Sequence, residues 1–111
     1  MTLLADYQSA CLKYLRLYGL TDWNLVFQSA NIPDANASVT YDTGQNRCAI
    51  FKIDKKASTC GHSIDELAHH EVLELLLSEL ACMAGELFSE EKVNTELHRI
   101  IYAITNTVYR K

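Results

Sequence analysis

His70, Glu71 and Glu74 stand in the string His-Glu-Val-Leu-Glu, inside the segment Leu67 to Leu77. An imidazole and a carboxylate four residues apart lie one above the other on a helix face. Both can then reach a single divalent ion. In helical projection His70 and Glu74 share a sector with Leu73, Leu77 and Ala81, with Leu67 at its flank, whereas Glu79 and Glu86 mark a solvent face. A carboxylate set among apolar side chains costs several kcal/mol unless a cation meets it, and a metal is one of the few cations that fits. The third ligand has to come from another element. His98 is the best candidate, because it sits at the border of the last helix's apolar stripe, beside Asn94 and Thr105 in projection. Glu71 follows His70 directly and can face the same cleft, where it could take a proton from a metal-bound water.

Zinc is the first metal to consider, with another divalent ion or no metal as alternatives. The same residues also suit a plain hydrogen-bonded His–Glu pair, and the motif without a second histidine is weak by itself. His69 projects towards Leu73 and reads as a packed or supporting histidine. His62 and Glu66 extend the four-residue ladder, but helix capping explains Glu66, and His62 precedes the helix. Cys60 with His62 lacks further partners.

Three groups of elements have to position these residues. Leu4, Tyr7, Cys11, Tyr14, Leu15 and Tyr18 recur at three- and four-residue steps, which predicts an amphipathic helix ended by Gly19. Trp23 to Phe27, Val39 to Tyr41 and Cys48 to Ile53 read as short strands. Pro33 keeps the first link out of any ladder, and Asp42-Thr43-Gly44-Gln45-Asn46 is a turn that makes the second and third strands a hairpin. Ser63-Ile64-Asp65-Glu66 has the form of a capping box, in which Glu66 reaches back, and opens a long helix to about Gly85. A final helix begins near Ser89, with Val93, Leu97, Ile100, Ile101, Ile104 and Val108 as its buried stripe. The order predicts an α+β fold, with helices packed on a small sheet.

With 111 residues the chain has room for one domain, residues 1–111. Hydrophobic residues at 49% and charged residues at 22% exclude disorder as its main state. Ten Lys and Arg against 14 Asp and Glu give a net charge of -4. That argues against a broad phosphate-binding surface, and there is no basic helix, so direct nucleic-acid binding is not expected. Cys11, Cys48, Cys60 and Cys82 form no Cys-x-x-Cys pair. The first residues lack the basic and apolar regions of a signal peptide, and Leu80 to Ala84, the longest apolar stretch, is too short to span a membrane. A reducing, cytoplasmic location is the expectation.

The whole order resembles the small zincin-like metallopeptidases of phage and bacterial genomes, of the SprT-like and ImmA-like kind. The residues that carry the resemblance are Trp23-Asn24-Leu25-Val26-Phe27, Ala37 to Asp42, Arg47 to Phe51, Leu67 to Leu77 and Glu96 to Ile101. It covers nearly the whole chain, and its pattern is tightest around His70. It implies a zincin-like fold: an N-terminal helix, a small three-stranded, mainly antiparallel sheet, and two C-terminal helices carrying a metal site. His70 would be the first zinc ligand and Glu71 the general base. Glu74 stands where the family has its second histidine, so His70, Glu74 and His98 would make a variant three-ligand site.

Two functions follow as expectations. One is a zinc-dependent peptidase, in which a metal-activated water attacks a peptide carbonyl in a peptide or protein substrate. The other is a catalytically degenerate, phage-type accessory protein, in the host cytoplasm, that binds a host protein and modulates it. Tyr41, Tyr102 and Tyr109 are candidate exposed aromatics for such a contact.

Overall fold

A computed structural model describes residues 2–42 and 47–110, apart from the side chain of Ser58. Residues 43–46 of the expected turn lie outside the described residues. The chain runs α1 (Leu3–Leu17), β1 (Asn24–Ala30), β2 (Ala37–Asp42), β3 (Cys48–Asp54), a short 3-10 turn (Ala57–Thr59), α2 (Ile64–Leu76), α3 (Ser78–Gly85) and α4 (Glu90–Tyr109). It is a small α+β protein.

Capping explains the helix boundaries. Thr2 caps α1 through its Oγ1, which accepts the Ala5 N–H at 3.1 Å. At the other end Gly19 has φ +72°. The Gly19 N–H bonds back to Arg16 O, and the Leu20 N–H to Leu15 O at 2.8 Å. These two bonds make a Schellman ending, which needs a left-handed residue where glycine stands. Ser63 Oγ accepts the Glu66 N–H at 3.0 Å, and Ser89 Oγ accepts the Lys92 N–H at 3.2 Å. Instead of reaching back to Ser63, the Glu66 carboxylate meets Arg110 Nη2 at 2.7 Å and His62 Nδ1 at 3.3 Å.

The sheet departs from the mainly antiparallel expectation. Its order is β1-β3-β2, so β3 is central. β2 pairs with β3 antiparallel, Asp42 opposite Cys48, as a hairpin should. β1 pairs with β3 in parallel, Asn24 opposite Cys48 and Ala30 opposite Asp54. The sheet is therefore mixed. β3 is the most apolar strand and gains most from having neighbours on both sides. Its Ala49, Phe51 and Ile53 are fully buried against the helices. The Asp54 carboxylate fastens the link between β1 and β2 to the end of β3, accepting the Ile32 N–H at 2.7 Å and the Lys56 N–H at 2.9 Å. These bonds hold the Asp54 carboxyl below its ordinary range.

The core lies between the sheet and the helices, where Tyr7, Cys11 and Leu15 of α1 meet Ala68, Val72 and Leu75 of α2 around Phe51. α2 packs on α1, on the edge strand β2 and on α4, while α3 rests mainly on α4.

Two expectations about the helices need correction. The long helix to Gly85 is two helices, broken at Leu77 (φ -91°, ψ 2°). No glycine or proline marks the break, which falls where the chain leaves α1 and the sheet. The stripe of α4 is also less covered than its periodicity suggests. Ile101 and Thr105 are its buried residues, whereas Ile104 and Val108 are exposed. With α3 turned off the axis of α2, there is too little protein to cover the rest.

Candidate metal centre

Three side chains from two helices converge. The ligand atoms of His70, Glu74 and His98 all lie within 4.8 Å of one another. His70 and Glu74 come from successive turns of α2, and His98 from the middle of α4. The short connection Glu86–Ser89 lets α4 return along α3 and then α2. His70 Nε2 is 3.5 Å from Glu74 Oε2, and His98 Nε2 is 3.7 Å from Glu74 Oε1. The carboxylate thus lies between the two imidazoles. The three side chains are 20%, 21% and 30% exposed, so the cluster is part-buried with an open side.

These separations bear on both readings of the motif. Hydrogen bonds from imidazole to carboxylate run at about 2.7–3.2 Å. At 3.5 and 3.7 Å the contacts are longer than that, at ion-pair separation. Two ligands each about 2.0–2.1 Å from a tetrahedral ion stand about 3.3–3.4 Å apart, close to what is seen.

The chemistry of His98 points the same way. Its Nδ1 is 2.9 Å from the carbonyl oxygen of Asn94. A carbonyl only accepts, so Nδ1 carries the proton. In the neutral ring the Nε2 lone pair therefore faces Glu74. A lone pair and a carboxylate oxygen repel unless a second ring proton or a cation lies between them. Backbone-carbonyl support of the second ring nitrogen is also how metal-binding histidines are commonly oriented. The donor set therefore fits a divalent ion, which His70, Glu74 and His98 could hold.

The carboxyls around the site are driven apart. Burial pushes Glu74 up, but His70, Glu71 and His98 around it outweigh burial and leave it below the ordinary range. Glu71 is buried and beside Glu74, and it also lies close to Tyr7 and Cys11 of α1. Burial and the Glu74 charge push its carboxyl well above the ordinary range. The structure thus brings Glu71 to the ligand cluster from its buried side.

Two tyrosines join the site. The Tyr102 ring lies 5.5 Å from that of His70 and 6.0 Å from that of His98, with the two imidazoles 5.6 Å apart. Tyr102 is four residues after His98, so their shared helix face was a usable signal. Tyr41 of β2 is half-buried near Glu74 and Cys82, and burial, with those two groups, raises its phenol. No local pattern places Tyr41 there, because β2 reaches α2 only through the tertiary fold.

Other candidates separate from the site. His69 is buried on another side of α2, where its Nε2 is 2.6 Å from the Tyr18 hydroxyl and its Nδ1 is 3.2 Å from the Tyr109 hydroxyl. Its ring stacks on Tyr14 at 4.0 Å and 2°. Tyr109 is therefore part of an internal network and not the exposed aromatic expected of it. Cys11, Cys48, Cys60 and Cys82 are all free thiols. Cys60 and His62 join no three-ligand group among the described residues. No helix among the described residues is long and apolar enough to cross a membrane.

In comparisons with known proteins, no family model, no curated protein and no solved structure matches the chain. Function is therefore argued from the geometry of this site.

Proposed function

We propose that the protein is a metal-dependent hydrolase of the zincin-like peptidase kind, with His70, Glu74 and His98 as ligands of a zinc or similar divalent ion. The observation that carries this reading is the convergence of the three ligand atoms, all within 4.8 Å of one another. A divalent ion held there supplies Lewis acidity, which polarises a carbonyl and acidifies water at neutral pH.

The chain's own residues supply the rest. His98 is oriented by the Asn94 carbonyl, and His70 by its place one turn before Glu74. Glu71 holds or releases a proton beside the cluster, the role of a general acid–base. Tyr102 walls one side of the two imidazoles. β2 is an edge strand beside α2, which suits an extended peptide that adds to the sheet.

Metal analysis tests the reading. The purified protein should carry about one divalent ion per chain, and chelation should lower its melting temperature, since an ion at about 100 times its Kd contributes about 2.7 kcal/mol. Cleavage of an unstructured protein substrate should be lost on chelation and in Glu71→Gln. Absence of a stoichiometric ion, with a melting temperature indifferent to chelators, overturns the metal site. A bound ion without cleavage favours the second reading, a protein-binding module that kept the site and lost the chemistry. An open apolar groove between α3 and α4, lined by Leu80, Phe88 and Leu97 among others, is what supports that alternative.

A further inference from the structure

α3 and α4 enclose an apolar groove of about 410 Å³, lined by Leu77, Leu80, Ala84, Phe88, Val93 and Leu97 among others. It begins close to the ligand cluster, since Leu77 follows Glu74 by three residues and Leu97 precedes His98. Around it Leu80 is 60% exposed, Met83 66%, Leu87 82% and Phe88 59%. Leu80 and Phe88 line the groove itself, and Met83 and Leu87 add two more exposed large apolar side chains within the same nine residues, a concentration that monomeric proteins seldom leave open.

Charge says what fits there. Between Ser78 and His98 the chain carries Glu79, Glu86, Glu90, Glu91 and Glu96 against Lys92 alone. Five acids against one base make -4, which equals the net charge of the whole chain. Arg47 engages Glu79, and Arg99 engages Glu96 at 2.8 Å. Glu86, Glu90 and Glu91 flank Phe88 and Leu87 in sequence, and they form no ion pair among the described residues. A second copy of this chain would bring a like-charged rim against this one, so self-association is disfavoured. A basic partner would be attracted by the same field.

We propose that the α3–α4 groove docks an amphipathic helical segment of another protein, with large apolar residues at helical spacing and Lys or Arg along the flanks. The apolar stripe of the segment covers Leu80, Phe88, Val93 and Leu97, as a helix fills a groove between two others. Its basic flanks meet Glu86, Glu90 and Glu91. This surface goes beyond the metal reading and does not depend on it.

The test uses the full chain and three labelled synthetic peptides in fluorescence anisotropy. The first carries Leu and Phe at i, i+3, i+4 and i+7 with Lys flanks. The second has the same composition with the apolar spacing scrambled, and the third has Glu in place of Lys. The first should bind at least about tenfold more tightly than either of the others. Leu80→Glu and, separately, Phe88→Glu should weaken it by about tenfold or more, although each adds a negative charge that attracts lysine. Both side chains are mostly exposed, so the variants should keep the wild-type melting temperature. His70→Ala should bind the peptide as the wild type does, which separates this surface from the metal site. Equal binding of the scrambled peptide, unchanged binding by both groove variants, or a wild-type dimer in sedimentation that Leu80→Glu dissolves would each overturn the proposal.

Discussion

His69 and His70 are adjacent on α2, yet their surroundings have little in common. The His69 ring lies between α1 and α4 with a hydroxyl on each nitrogen, at 2.6 Å from Tyr18 and 3.2 Å from Tyr109. Tyr109 passes the network on to Asp65 Oδ2 at 2.7 Å, and Lys13 closes it at 2.5 Å from Oδ1. Every group there has a partner at hydrogen-bond distance, and burial lowers the His69 imidazole and favours its neutral form. The His70 ring instead faces a carboxylate at 3.5 Å, with a second imidazole beyond it. One side of the helix is closed by its own hydrogen bonds. The other could hold a cation between its groups. Residue type alone therefore does not make a ligand; the distances to the neighbours do.

The largest expected effect separates the two sides outright. His70→Ala or Glu74→Ala should weaken divalent-metal binding by at least about 100-fold, more than loss of a supporting hydrogen bond usually costs, as read by competition with a chromogenic chelator. His69→Ala should leave that affinity within about threefold. Equal losses from both would abolish the distinction.

Stability should show the reverse order. His69→Ala strands the Tyr18 and Tyr109 hydroxyls and removes a stacked ring, a loss of about 2–3 kcal/mol in denaturant unfolding. His70→Ala in metal-free protein should cost less than about 1 kcal/mol, because that side chain is part-exposed and its contact with Glu74 is long at 3.5 Å.

pH sharpens the picture of the closed side. Burial pushes the Asp65 carboxyl up, but hydrogen bonds from Lys13, Tyr14 and Tyr109 outweigh it and hold it below its ordinary 3.8. A depressed carboxyl contributes stability above its unfolded value and loses it as pH falls through the folded one. Burial, together with the Asp65 contact, raises the Tyr14 and Tyr109 phenols above their ordinary 10.0. Raised phenols contribute stability below that value and lose it as pH climbs past it. Thermal melts should therefore fall off below pH 3.8 and above pH 10.0. Asp65→Asn should flatten the acid limb.

The smallest effect concerns Tyr102. Tyr102→Ala should change metal affinity by only about two- to fivefold, since the ring neighbours both imidazoles without being one of the converging ligands. A larger loss in the chelator assay would make the phenol a ligand.

Much of the candidate site was legible along the chain. The i, i+4 spacing placed His70 and Glu74 on one face of α2, and a short connection brought His98 back to them. Capping residues Ser63 and Ser89 marked where α2 and α4 begin, and Gly19 where α1 ends. All of these are local signals, because helix periodicity and caps act within a few residues. The parallel pairing of β1 with β3 was not legible. Alternation tells which face a residue takes, but not which strand lies beside it. The break at Leu77 carried no glycine or proline. The exposure of Ile104 and Val108 was hidden for a related reason: periodicity reports an apolar stripe, while coverage depends on what packs against it.

The sequence by itself determined the α+β composition, the capped starts of α2 and α4, the end of α1 and the pairing of an imidazole with a carboxylate on one helix face. Only the tertiary structure decided that His69 is enclosed by tyrosines and that His70 and His98 face Glu74 across more than a hydrogen bond's length. It also left the acidic, apolar end of α3 and α4 uncovered. The physical reason is one of range. Backbone geometry sets side-chain direction within an element, whereas the gap between two side chains on different elements follows from how those elements pack.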